Sequence, residues 1–201
     1  MRDKILVWDF PTRLFHWMLA LSFIGAYLTG DSEYWRDLHV SLGYTILGLI
    51  GFRLIWGLVG TRYARFGSFA FGPSKVLAYM KSLLSASPPH YVGHNPAGSW
   101  AIYGLLLLGL LAGATGYATY EELGGEWLEE LHEFFSNAML ALVLVHVAGV
   151  LVSSRLHHEN LVRGMIDGYK HGEPEQGIQR RHWLVGVVLL AVVVGLWVAL
   201  F

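Results

Sequence analysis

The run WLVGVVLLAVVVGLWVALF, residues 183–201, is apolar throughout. A helix needs about 20 mostly apolar residues to cross the hydrocarbon of a bilayer. Four further stretches approach that length, at about 14–30, 39–60, 99–118 and 132–153. A water-soluble bundle of 201 residues has too little polar surface to cover five such runs. Charged residues make up 14% of the chain, about half the usual share. The expected class is therefore all-α, an integral membrane helical bundle, with one membrane domain over residues 1–201. The net charge of −1 gives no reason to expect nucleic acid as a partner. The absence of cysteine excludes structural disulfides, thiolate-held zinc or iron–sulfur clusters, and a covalently attached c-type haem. The opening MRDKILVWDFPTR does not read as a signal peptide. The apolar stretch after it is long enough to stay in a membrane and shows no small-residue cleavage site.

The positions of the cations give a direction. Arg2, Lys4 and Arg13 precede the first span; Arg62, Arg65, Lys75 and Lys81 lie between the second and third; Arg155, Arg163, Lys170, Arg180 and Arg181 lie between the fourth and fifth. The other two loops hold Arg36 alone, among Asp31, Glu33, Asp37, Glu121, Glu122, Glu126, Glu129 and Glu130. Twelve basic residues against one predict a cytoplasmic N-terminus and a periplasmic C-terminus. In the long cytoplasmic loop 61–98, GPSKVLAYMKSLLS predicts a short amphipathic helix on the membrane surface, and GHNPAGSW (93–100) a turn into span three.

Isolated polar residues inside spans are costly in lipid and face a bundle interior. In LHEFFSNAMLALVLVH (131–146), His132 and His146 are fourteen residues apart. That spacing returns them to one helix face, separated by about 21 Å along the axis, so one ion cannot bind both. His16 lies fourteen residues before Gly30, at the depth of His146, and His39 opens span two level with His132. The four histidines thus form two layers, His16 with His146 and His39 with His132. Two imidazoles facing across a gap are the axial ligand set of a b-type haem, whereas zinc requires three or four ligands. Ala20, Gly43, Ser136 and Gly149, close to the respective histidines, leave room for a flat ring. The competing reading of each histidine is a packing or proton-relay residue. Arg53, fourteen residues after His39, falls on the same face at the deeper level. It reads either as an ion partner for a propionate of the inner haem or as a side chain snorkelling to the headgroups. Gly104, Gly109, Gly113 and Gly116 suit span three to close packing. His90, His94, His157, His158, His171 and His182 read as solvated or headgroup-facing.

The segments WDFPTRLFHW, LHVSLGYTILGLIGFRLIWGLVG, GHNPAGSW, LHEFFSNAMLALVLVHVAGVL and HHENLVRGMI resemble the bacterial cytochrome b561 superfamily over about residues 5–170. That group includes cytochrome b subunits of nickel–iron hydrogenases, a formate dehydrogenase subunit and superoxide oxidase. The resemblance implies a four-helix core holding two b haems and exchanging electrons with quinone in the bacterial inner membrane. It implies His16 and His146 as ligands of the inner haem iron and His39 and His132 as ligands of the outer. The fifth span departs from minimal four-helix members and reads as a packing or docking helix.

The resulting expectation is a di-haem b-type cytochrome carrying electrons between a periplasmic partner, a c-type cytochrome or a hydrogenase subunit, and the quinone pool. A quinone site is expected on the cytoplasmic side, near His146 and His157–Asn160. The acidic stretch Glu121–Glu133 reads as a solvated rim or as a dock for a basic partner. Superoxide oxidase is the alternative on the same scaffold, although a single outer cation, Arg36, suits superoxide capture poorly. A haem-free transporter is the third reading.

Overall fold

The computed structural model describes residues 3–85 and 88–200, with Leu200 described by its backbone only. Arg2, Phe201 and part of the 61–98 loop lie outside these residues. The chain runs β1 (Asp3–Leu6), α1 (Phe10–Thr29), α2 (Arg36–Val59), α3 (Pro73–Ser82), α4 (Pro96–Tyr120), α5 (Trp127–Leu156), α6 (Leu161–Asp167), β2 (Tyr169–Gly172) and α7 (Trp183–Leu200). Helix α2 with the turn before it (Glu33–Val59), α4 and α5 combine the length and mean hydropathy of membrane spans. Helices α1 and α7 pack beside α2 and complete the bundle. The expected all-α membrane bundle is the architecture found. The short helix expected after Pro73 forms as α3.

Local chemistry fixes the helix starts. Asp9 caps α1 by accepting a hydrogen bond from Thr12 N at 2.8 Å, and Pro11 follows in the first turn, where its missing N–H costs nothing. Asn95 caps α4 in the same way, accepting from Gly98 N at 2.7 Å immediately before Pro96. The GHNPAGSW segment is thus the helix entry its composition predicts.

Two helix pairs build the core: α1 packs along α2, and α4 packs along α5. Close approach of α4 depends on missing side chains. A Cβ at Gly113 would come within 2.4 Å of Leu47 on α2, and one at Gly116 within 2.8 Å of the His132 ring. Phe23, Leu49, Ile50, Leu106 and Met139 pack into a sealed apolar layer in the middle of the bundle. Helix α7 joins through Leu189 in that cluster and through Trp197 Nε1, which donates to Thr45 Oγ1 at 3.0 Å.

One end carries an unanticipated cap. β1 and β2 form a two-stranded antiparallel sheet, with Asp3 opposite Gly172 and Leu6 opposite Tyr169. Gly168 turns the chain into β2 at φ 90°, a left-handed conformation that glycine adopts without strain. Its carbonyl accepts from Val7 N and Trp8 N. Helix α6 sits on the start of α1, where Arg13 Nη1 donates to Ile166 O and Trp17 Nε1 to Met165 O.

Candidate functional site

The four histidines expected to act in pairs stand in pairs. The rings of His16 on α1 and His146 on α5 have centroids 6.5 Å apart; those of His39 on α2 and His132 on α5 are 5.9 Å apart. An imidazole nitrogen binds a first-row metal at about 2.0–2.1 Å, and the ring centroid lies roughly 1 Å beyond it, so two imidazoles on opposite sides of one metal hold their centroids about 6 Å apart. Both pairs match that separation. Each pair meets across a gap: α5 packs mainly along α4, and touches α1 through the hydrogen bond from Tyr27 Oη to Asn137 Oδ1 at 2.8 Å. Met139, midway between His132 and His146 in sequence, is buried in the apolar layer between the levels.

The rings of the His39–His132 pair, the far level (the His16–His146 pair being the near one), are held in one orientation. His39 Nδ1 lies 2.9 Å from Ala26 O and His132 Nδ1 lies 2.8 Å from Ala112 O. A carbonyl accepts only from N–H, so each Nδ1 carries the proton and each Nε2 keeps its lone pair for a ligand. At the near level His16 Nδ1 is buried without a hydrogen-bond partner.

The space beside the rings suits a flat group. A Cβ built on Gly43 or on Gly149 would meet no atom within 4 Å. A cavity of about 590 Å³ lies at the His39–His132 level, with Gly43, Gly116 and Arg36 in its wall. Arg36 is held there over the Tyr120 ring. Among the described residues no cluster of three or more His, Asp or Glu could hold a bare metal ion. Two imidazoles and a slot therefore fit a metal that brings its own equatorial ligands, as the iron of haem does.

Arg53 is buried at 3% exposure, so its guanidinium does not snorkel. It lies over Phe66 at 4.6 Å and Phe69 at 5.9 Å, and its Nη1 has no hydrogen-bond partner. Among the described residues, the carboxylate whose field reaches it is that of buried Asp9. Asp9 is engaged elsewhere, by Thr12 N, Trp56 Nε1 and Thr61 Oγ1.

The histidines expected to be solvated or headgroup-facing divide into exposed and half-buried ones. His158 and His171 are exposed, but His182 is half-buried, its ring 5.4 Å from that of Trp56. His90 Nε2 approaches Glu159 Oε2 at 3.4 Å, and the His90 and His157 rings are 5.3 Å apart. The largest correction is His94. Its ring is clamped between Trp8 (4.6 Å) and Phe69 (4.3 Å), with Nδ1 buried and unpartnered. Its place directly before the Asn95–Pro96 helix start was the available signal, because a residue at a fixed helix entry is not free to follow solvent.

A helical bundle of membrane-length apolar helices with two stacked imidazole pairs defines the class, a membrane protein with paired histidines in its interior. The sequence profile of the prokaryotic cytochrome b561 family matches residues 7–168, and the chain belongs to that family. It is thus a b-type cytochrome, a haem b protein of membrane electron transport. It is 28% identical to a probable Ni/Fe-hydrogenase B-type cytochrome subunit of Azotobacter chroococcum mcd 1, over 84% of this chain and 89% of the relative. The protein of the same designation from Rhizobium leguminosarum bv. viciae is 25% identical, over 83% and 89%. The probable Ni/Fe-hydrogenase 1 B-type cytochrome subunit of Escherichia coli K12 is 24% identical, over 82% and 89%. No solved structure matches the chain.

Proposed function

We propose that the protein binds two b haems, one at each histidine pair, and carries electrons across the bacterial inner membrane between a periplasmic redox partner and the quinone pool. The observation that carries this reading is the pair of ring separations, 6.5 Å and 5.9 Å, on one shared helix. Bound there, haem iron would supply one-electron chemistry. His16 and His146 would hold one iron, and His39 and His132 the other, with the Ala26 and Ala112 carbonyls keeping the second pair oriented. The basic loops support a cytoplasmic N-terminus and, with it, a periplasmic side for the His39–His132 level. The designations of the relatives favour a hydrogenase as the periplasmic partner. His146 and the polar segment His157–Asn160 support a quinone site at the cytoplasmic end.

The purified protein is expected to contain two haem b per chain and to show the sharp low-spin spectrum of bis-imidazole iron, with quinol reducing part of it. Protein without porphyrin, or with one haem per chain, overturns the reading.

Arg53 would face a propionate of the haem held by His16 and His146. Arg53→Gln is expected to lower the midpoint potential of that haem, because a nearby positive charge stabilises the reduced state, and to leave the other haem unmoved. Redox titration followed in the visible spectrum measures both; an unchanged potential removes Arg53 from the site.

A further inference from the structure

Two neighbouring buried groups, Arg53 Nη1 and His94 Nδ1, have hydrogen-bonding capacity that nothing in the protein takes up. Both pack on Phe69, the guanidinium at 5.9 Å and the imidazole at 4.3 Å, and Trp8 closes the other side of the His94 ring. These contacts hold the half-buried ring, and its Nδ1 stays inside the protein. Burial pulls the His94 imidazole down to about 3, and Arg53, Lys170, His146 and His16 push in the same direction, with no carboxylate opposing them. His94 is thus a neutral ring near two cations, Arg53 and Lys170, and near the His16–His146 pair. An unsatisfied buried polar group costs about 1–3 kcal/mol, and native structures seldom keep one without a reason. Two such groups on one aromatic ring, Phe69, with Asp9 already committed to other donors, suit a ligand that brings its own anions. Haem b carries two carboxylates on adjacent positions of one edge.

We propose that His94 donates a hydrogen bond from Nδ1 to one carboxylate of the haem held by His16 and His146, beside the carboxylate that faces Arg53. This rests on the di-haem reading above. It makes the loop before α4 a wall of the haem site and gives the GHNP segment a binding role as well as a capping one. The neutral donor draws charge from the carboxylate without adding a full positive charge to the site.

The test compares His94→Leu and His94→Gln in the full-length, haem-loaded protein. In His94→Leu the reduced-to-oxidised ratio of that haem at a fixed potential is expected to fall about tenfold, equivalent to 59 mV for one electron. The unshielded carboxylate stabilises ferric iron. The other haem should keep its potential. His94→Gln retains an N–H donor and should recover much of the shift. The propionate bending vibration in resonance Raman should move in His94→Leu and recover partly in His94→Gln. Unchanged potential and vibration in His94→Leu, equal shifts of both haems, or identical behaviour of the two variants overturns the assignment. If His94→Leu does not accumulate, His94→Phe, which keeps a ring between Trp8 and Phe69 but has no donor, takes its place, and an unmoved propionate vibration there overturns the assignment. Two haems with an inert His94 defeat this inference and leave the di-haem reading standing. A wild-type protein lacking the second haem defeats the reading itself.

Discussion

Replacing His146 with alanine is expected to remove one haem b from the purified protein and leave the other in place with its spectrum unchanged. His16→Ala should remove the same haem, and the double substitution should remove no more than either single one. His39→Ala and His132→Ala should form a second such set. The expectation follows from the separation of the two levels. Among the described residues each of these imidazoles faces one other imidazole, at 6.5 Å for His16 with His146 and 5.9 Å for His39 with His132. Leu49, Ile50 and Met139 fill the bundle between the levels at close to full burial, and a packed apolar layer transmits little of a deletion made on one side of it. The far pair also keeps its own orienting hydrogen bonds, from Nδ1 to the Ala26 and Ala112 carbonyls. Haem content by pyridine haemochrome, with redox titration to identify the survivor, measures the outcome. Loss in His16→Ala of the haem that is also lost in His132→Ala would sink the layered arrangement.

Lys170→Met is expected to give the largest loss of stability among single substitutions at the capped end, about 3 kcal/mol by comparison with other broken buried pairs. Lys170 Nζ lies 3.0 Å from Glu159 Oε2, with side-chain exposures of 4% and 9%, and also donates to Tyr91 O. Glu159 Oε1 accepts from His171 N. The cluster fastens β2, the turn after α5 and the loop before α4 to one another. Removing the lysine charge leaves the carboxylate buried with weaker partners, whereas removing both charges together leaves neither stranded. The double variant Lys170→Met/Glu159→Gln should therefore melt above the single variant. A double variant that melts no higher would show that the pair does not hold this end.

The same carboxylate sets an acid limb. Burial pushes Glu159 up, but hydrogen bonds from His90, His171 N and Lys170 and the lysine charge outweigh it and hold the group at about 2, below its ordinary 4.5. A depressed carboxyl stabilises the fold above its unfolded value and loses that contribution as pH falls through the folded one. Thermal midpoints should therefore decline between pH 4.5 and about 2 in the wild type, and decline less in Glu159→Gln.

The amino-acid sequence determined the helices and which histidines share a level. Both follow from local arithmetic, the length of apolar runs and a fourteen-residue return to one face of a helix. Helix entries at Asp9 and Asn95 were equally legible, because a cap is satisfied within three residues of itself. The tertiary structure alone decided the rest of the site. Strand β1 has four residues and finds its partner around residue 170, so no local period announces it. Whether Arg53 snorkels or stays buried depended on Phe66 and Phe69 covering it from another segment. His94 was misplaced for the same reason: the rings that enclose it, Trp8 and Phe69, come from distant parts of the chain. Burial of a single polar side chain is a property of what folds over it, and that information lies far away in the sequence.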